Sequence, residues 1–539
     1  MGNRWLSAIE TLGSRFAARK RLAIVGIALA VIVTRLALLL ILPVPVPGVH
    51  DEFSYLLAAD TFVRGRLTNP PHPMWVYLDT FHVLQHPTYA SIYPPAQGAV
   101  LATGQLLGNP WIGVLLSMGL MFGALLWMLQ GWLPPQWALL GAALAFFQFG
   151  IFSYWMNSYW GGAVAAIGGA LVTGALPRIL RRQRLGDALL LGLGAAILAN
   201  TRPFEGALVC VPLGIVLISW LCGRRSPSWR ATFPRVVLPV GGILIVTAAF
   251  ILFYNWRVTG NAFLLPHEVE NRMASVPNFV GEHAQPMHYL NHQFEVFYNH
   301  WTVKQSLYKW ADFPSFSLRK LASFQSFFLQ LPLTISSFAA LPWVLLDRRT
   351  RLLVAQFALY SVGALTVAWF QPHYAAPVMA TFVAIVVQAL RHLRRWKFRG
   401  RPVGVGLTRA LFLLTVLSFP FCMVQVVISP YTNACSGWGT AANWDRAAIK
   451  TQLDALPGKH LVIVRYSQQH HDVNQEWVYN GANVNQSKIV WARYIPEISM
   501  QPLLDYFHDR TVWLVDADDS PPRLAPYPLV STTSGTAQH

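Results

Sequence analysis

Two long apolar runs constrain this chain more than any other feature: RLAIVGIALAVIVTRLALLLILPV at 21–44 and RVVLPVGGILIVTAAFILFYNW at 235–256. A helix rises 1.5 Å per residue, so about 20 such residues cross a hydrocarbon core of ~30 Å. Hydrophobic residues make up 54% of the 539 and charged residues only 12%, which excludes an ordinary soluble enzyme. The expected class is an all-α polytopic membrane protein. Apolar runs place about eleven spans, at 21–43, 109–131, 135–155, 159–177, 187–200, 204–222, 235–255, 325–346, 352–370, 373–391 and 408–428.

The formal charge of +18 is topological. RFAARKR, PRILRRQR, CGRRSPSWRATFPR, DRRTR and RHLRRWKFRGR, with Arg4, carry 22 of the 41 Lys and Arg. With the N-terminus inside, all of these loops fall on the cytoplasmic side, as positive loops do. That excludes nucleic acid as the partner the basicity would otherwise suggest. Three large segments then lie outside: 44–108, 256–324 and 429–539. The last reads as a small α/β domain: GKHLVIVRYS and RTVWLVDAD are strands and NWDRAAIKTQLDAL is an amphipathic helix. STTSGTAQH at the end is expected to be disordered. Cys210, Cys222 and Cys422 fall in apolar runs as small hydrophobes, and no disulfide framework or CxxC site is expected.

Polar residues gather where spans meet the outer surface. His50, Asp51 and Glu52 follow the first span, ahead of a helix at 52–64 that Gly65 closes and that lies along the membrane surface. Asp51 is a helix cap on one reading and a chemical group on the other. His72, Asp79, His82 and His86 follow in the same loop, as metal ligands or as interfacial residues of an irregular segment. The rings of Tyr154, Trp155, Tyr159 and Trp160 make a sugar platform or an aromatic belt. Gly and Ala in NSYWGGAVAAIGGAL permit close helix packing. Arg202 in NTRPFEG holds a phosphate bidentately or pairs with Glu205. His373 and Tyr374 in FQPHYAAPV stand at another outer helix end. His267, Glu268 and Glu270 suit a metal or a solvated helix face, the latter favoured.

Taken in order, His50-Asp51-Glu52, IYPPAQG at 92–98, NTRPFEG at 200–206 and PHYAAP at 372–377 resemble the GT-C class of integral membrane glycosyltransferases. More narrowly, residues 20 to 390 look like the bacterial branch related to protein mannosyltransferases and lipid A aminoarabinose transferases, the RgtA/B/C/D-like group. The resemblance implies transfer of a sugar from a polyprenyl-phosphate carrier to a lipid, glycan or protein acceptor, with inversion. It implies a bacterial inner-membrane protein. The loop charges make the N-terminus cytoplasmic and the 429–539 domain periplasmic. That domain, outside the resemblance, is an acceptor-binding module or a cover for the outer cavity. The family's catalytic acid maps onto Asp51 as general base, with Glu52 in support. Arg202 and His373 are candidates to steady the leaving phosphate, and Tyr93, Glu205, His267 and Tyr374 to bind substrate. Tyr93 stands where aminoarabinose transferases have a lysine, a departure that bears on the donor. Some relatives use a divalent metal, and this chain leaves that open because no ligand spacing stands out. A transporter of lipid-linked sugars or a non-catalytic assembly protein are the alternatives. A transporter would show internal repeats, and the sequence has none.

Overall fold

The computed structural model describes residues 2–223, 227–282, 285–302, 310–428, 435, 442–470 and 475–528. The expected disorder of STTSGTAQH lies outside the described residues. The chain begins with α1 (Gly2–Ala18) and α2 (Lys20–Ala37), then runs irregularly to α3 (His50–Val63), the helix expected at 52–64. The first outer loop adds α4 (Trp75–Leu78), an antiparallel pair β1 (Val83–Leu84) and β2 (Ala90–Ser91), and α5 (Pro95–Leu106). The bundle continues with α6 (Pro110–Trp132), α7 (Pro135–Ala145), α8 (Ala163–Arg182), α9 (Leu185–Ala199) and α10 (Pro203–Cys222).

Six helices among the described residues are long and apolar enough to cross a membrane: α6, α8, α10, Trp229–Thr259, Pro372–Leu393 and Val403–Ile428. α9 and Arg351–Thr366 are apolar but shorter. Three expected spans differ in kind. The span at 21–43 is helical only to Ala37, where α2 ends, and is not among the six. The span at 135–155 stops early, because α7 gives way to a π turn at Phe146–Gly150 and helix resumes only at Ala163. The span at 325–346 is cut into Phe313–Phe328, Leu331–Ala339 and Leu341–Leu346. Pro332 and Pro342 lack the N–H that would continue a helix and start new ones instead.

Helix α8 is the hub, and its small residues make that possible. A Cβ on Gly169 would lie 1.8 Å from the carbonyl oxygen of Pro377, so only glycine allows that approach. Basic ends gather at one end of the bundle. Gln130 donates to the Lys20 carbonyl at 3.3 Å, Arg181 to the Gly131 carbonyl at 3.2 Å, and Arg394 and Arg409 both hold Glu10.

Beyond residue 442, β3 (His460–Arg465), β4 (Ile489–Arg493) and β5 (Thr511–Asp516) run parallel, and β6 (Arg523–Pro526) adds an antiparallel edge in the order β4-β3-β5-β6. Alternation along β3 sends its side chains two ways. Val462 and Val464 pack beneath the helix Trp444–Ala455, while Leu461 and Ile463 join a core with Phe53 and Leu57 of α3. The expectation of free cysteines fails at one pair. Cys422, near the end of its helix, is disulfide-bonded to Cys435, with Cα atoms 5.8 Å apart.

Candidate active site

A cavity of about 400 Å³ opens at the end of the bundle away from the basic loops, and Asp51, Tyr93, Arg202, His267 and Tyr374 line it. Its formation begins with Arg35. This fully buried guanidinium donates to the carbonyls of Leu42 and Pro43 at 2.7 and 2.9 Å and to Asn157 at 3.1 Å. Those bonds satisfy carbonyls just past the end of α2 and direct the chain toward α3. Val49, not Asp51, takes the N-cap position of α3, so the cap reading of Asp51 is overturned.

Glu52 folds back over that start. Its carboxylate accepts from the N–H groups of Gly48 at 2.9 Å, Val49 at 3.0 Å and Tyr159 at 3.0 Å. Burial pushes it up to about 7 against those donors. Glu52 is 2% exposed and is not among the cavity-lining residues.

Asp51, one position earlier, faces the cavity. Tyr93 donates to its Oδ1, and His50 Nδ1 lies 3.1 Å from Oδ2. Burial raises this carboxyl, but the imidazoles of His50 and His82 and the Tyr93 hydroxyl outweigh it and hold Asp51 well below the usual carboxylate range. His82 is held on every side. Its backbone is left-handed at φ 59°, its N–H donates to Glu270 at 2.9 Å, and its Nδ1 meets both Glu270 oxygens at 3.1 and 3.2 Å. Burial lowers His82, yet Glu270 overcomes it and lifts the imidazole to about 9. Glu270 is itself kept below its usual range by His82 and by Tyr298, whose hydroxyl donates at 2.9 Å. The solvated face expected for Glu270 is therefore corrected. Its partner lies 188 residues away in sequence.

His50, Asp51 and His82 each offer a ligand atom, and these atoms lie within 4.8 Å of one another. Two imidazoles and a carboxylate fit a divalent cation such as zinc. His50 has its Nδ1 against Asp51 and its Nε2 without a hydrogen-bond partner, and Glu270 on Nδ1 of His82 leaves Nε2 for a metal. Spacing along the chain gave no hint of this set. The His82/His86 pair considered from sequence does not form, since His86 lies edge-on to Trp75 and His72 bonds Asn485 at 2.9 Å.

Arg202 stands just before α10, 3.8 Å from Glu205 and with its guanidinium 3.9 Å from the centre of the Tyr374 ring. The structure thus contains the Arg202–Glu205 pair and also opens both residues to the cavity. His373 lies behind the wall, in a small cleft that Arg202 and Tyr55 also border. The Tyr154 hydroxyl accepts from the His373 N–H at 2.9 Å and sits 2.9 Å from Nδ1. Of the expected aromatic platform only Trp160 reaches the cavity; Tyr154, Trp155 and Tyr159 are buried, so they form neither platform nor belt. The structural reason is the turn at 151–162, which carries them inward between α7 and α8.

No family model and no curated protein matches this chain. Solved structures do. The ArnT of Cupriavidus metallidurans in the apo state superposes with a TM-score of 0.50 at 14% identity, over 92% of this chain and 92% of that one. The same ArnT bound to undecaprenyl phosphate gives 0.48 at 13%, over 92% and 93%. The Archaeoglobus fulgidus oligosaccharyltransferase tethered with an acceptor peptide gives 0.40 at 11%, covering 87% of this chain and 64% of that longer one. The likeness to apo ArnT is one of architecture alone: the two chains share a fold.

Proposed function

We propose that this chain is a glycosyltransferase that moves a sugar from a polyprenyl-phosphate carrier to an acceptor hydroxyl at the outer face of a bacterial inner membrane. The observation that carries the reading is that Asp51 and Arg202 line the same cavity. In the proposed step the acceptor oxygen bonds to the anomeric carbon from the face opposite the phosphate. The bond from that carbon to the phosphate oxygen breaks with inversion, and its electron pair leaves on the lipid phosphate. Asp51, ionised at rest, takes the acceptor proton. Arg202 and the His82 imidazolium meet the charge that grows on the phosphate. His373 acts from behind, orienting Arg202 and Trp160. Tyr93 holds Oδ1 of Asp51, and Oδ2, beside His50, is the oxygen that meets the acceptor. His267 and Tyr374 bound the substrate space. A divalent cation on His50, Asp51 and His82 would supply positive charge beside the phosphate in place of the His82 proton.

The test is Asp51→Asn in proteoliposomes, with radiolabelled polyprenyl-phosphate sugar followed into product. Transfer falls ~10²–10⁴-fold, the range for loss of a general base. Undiminished transfer removes Asp51 from the chemistry. Lipid-linked sugar that crosses the bilayer with no transfer by the unaltered protein makes it a transporter instead.

A further inference from the structure

The C-terminal α/β unit at 442–528 grips the two elements that carry the reacting groups, yet stays out of the cavity. No described residue beyond Tyr374 lines that space. One side of α3 faces the membrane bundle through Tyr55 and Ala59, and another faces the sheet through Phe53 and Leu57. The Phe53 ring stacks on Tyr479 at 4.2 Å and 10°, and lies 4.7 Å from the Arg446 guanidinium. Arg446 in turn donates to the carbonyls of Trp477 and Tyr479 at 2.8 and 3.1 Å, which fixes the stacking partner. Seven residues further along α3, Asp60 accepts from the Ala482 N–H at 2.7 Å. A Cβ on Gly481 would stand 2.9 Å from that carboxylate, so a larger residue there displaces the Asp60 side chain.

The same unit holds the segment leading to His82. Tyr77 donates to the Ser499 carbonyl at 2.6 Å, Arg493 to the Asp79 carbonyl at 3.4 Å, and Tyr479 to the Phe81 carbonyl at 3.4 Å. Arg493 is itself fixed by a buried pair with Glu476 at 2.7 Å.

We infer that 442–528 is a positioning module, not a substrate-binding one: Phe53, Tyr479, Asp60 and the 481–482 turn set where Asp51 and His82 stand in the cavity. The inference rests on Asp51 being the base. A binding module would present polar or aromatic side chains to the cavity, whereas the described residues of this one turn Tyr479 onto the back of α3 and Arg493 and the Ser499 carbonyl onto the segment before His82.

The experiment uses the full chain in nanodiscs. Tyr479→Ala raises hydrogen exchange across 50–63 about tenfold, the scale of one lost aromatic stack with its packing, and leaves α6 and α8 unchanged. In transfer assays kcat falls while KM for donor and acceptor holds. Tyr479→Phe, which keeps the ring on Phe53 and loses only the bond to the Phe81 carbonyl, restores exchange across 50–63 and recovers part of kcat. Gly481→Val loosens α3 from its other end and is read in the same way if Tyr479→Ala does not fold. Unchanged exchange in α3, or a raised acceptor KM at constant kcat, overturns the inference. Asp51→Asn separates the two readings. If it still transfers sugar, the base assignment fails while the exchange data continue to decide the positioning role.

Discussion

Asp51 and Glu52 are sequence neighbours whose places at a helix start send them to opposite ends. The third position of a helix reaches back over the cap, so Glu52 spends its oxygens on backbone N–H groups. The position before it points away from that turn, and Asp51 stays open to the cavity. Glu52→Gln puts an NH2 group where a donor already stands, and costs about 1–3 kcal/mol of stability. Asp51→Asn still accepts from Tyr93 but gives up the charge that His50 and His82 stabilise, so its melting loss shrinks as pH falls below the usual carboxylate range. Thermal unfolding of the two variants across pH, beside their transfer rates, checks this; an Asp51→Asn loss that holds constant at acid pH sinks it. His82 adds a pH dependence. Its folded value of about 9 is above the ordinary histidine value, so its contribution is complete below about pH 6.5 and is lost as pH rises through about 9. The upper bound is about 3 kcal/mol, from ~1.4 kcal/mol per pKa unit. The melting temperature should therefore fall between pH 7 and 9.5, and Glu270→Gln should flatten the slope. A slope that survives Glu270→Gln contradicts the pairing.

At the scale of elements, what the sequence made legible followed period and composition. The apolar run in GKHLVIVRYS and the helical period of 52–64 depend on neighbours in the chain, and they formed as β3 and α3. The membrane-surface placement of 52–64 fails, because Phe53 and Leu57 turn to the sheet and Tyr55 and Phe62 to the bundle. What stayed hidden depended on residues far apart. His82 and Glu270 are 188 positions apart, and Arg35 and Asn157 are 122 apart. An arginine inside an apolar run reads only as a cost to the span. Its value comes from the carbonyls of Leu42 and Pro43, which no local pattern announces. The prolines at 332 and 342 were legible as breaks, yet total apolarity hid them inside one span. Arg35→Met keeps the length of the side chain and removes all three donors. The Leu42 and Pro43 carbonyls then lose their partners at about 1–3 kcal/mol each. The expected result is faster hydrogen exchange over 38–49 and a lower kcat, with α6 and α8 protected as before. Unchanged exchange at 38–49 would remove Arg35 as the support of that joint.

Across the whole molecule, the cavity and the basic loops lie at opposite ends of the bundle, and the disulfide gives an independent handle on which end faces out. Arg409 holds Glu10 at the basic end, and Cys422 lies 13 residues further along the same helix, roughly 20 Å at 1.5 Å per residue. Its bond to Cys435 therefore forms toward the cavity end. Disulfides persist in oxidising compartments and not in the cytosol. A bonded Cys422–Cys435 pair thus agrees with the outward orientation that the charge pattern implies. The four cysteines make this countable. Protein denatured without reductant should take two maleimide groups, on Cys210 and Cys222, and four after reduction. Preparation from cells lacking periplasmic oxidation should take four from the outset. Four adducts without reductant from oxidising cells would place Cys435 on the reducing side, and with it the cavity that holds Asp51.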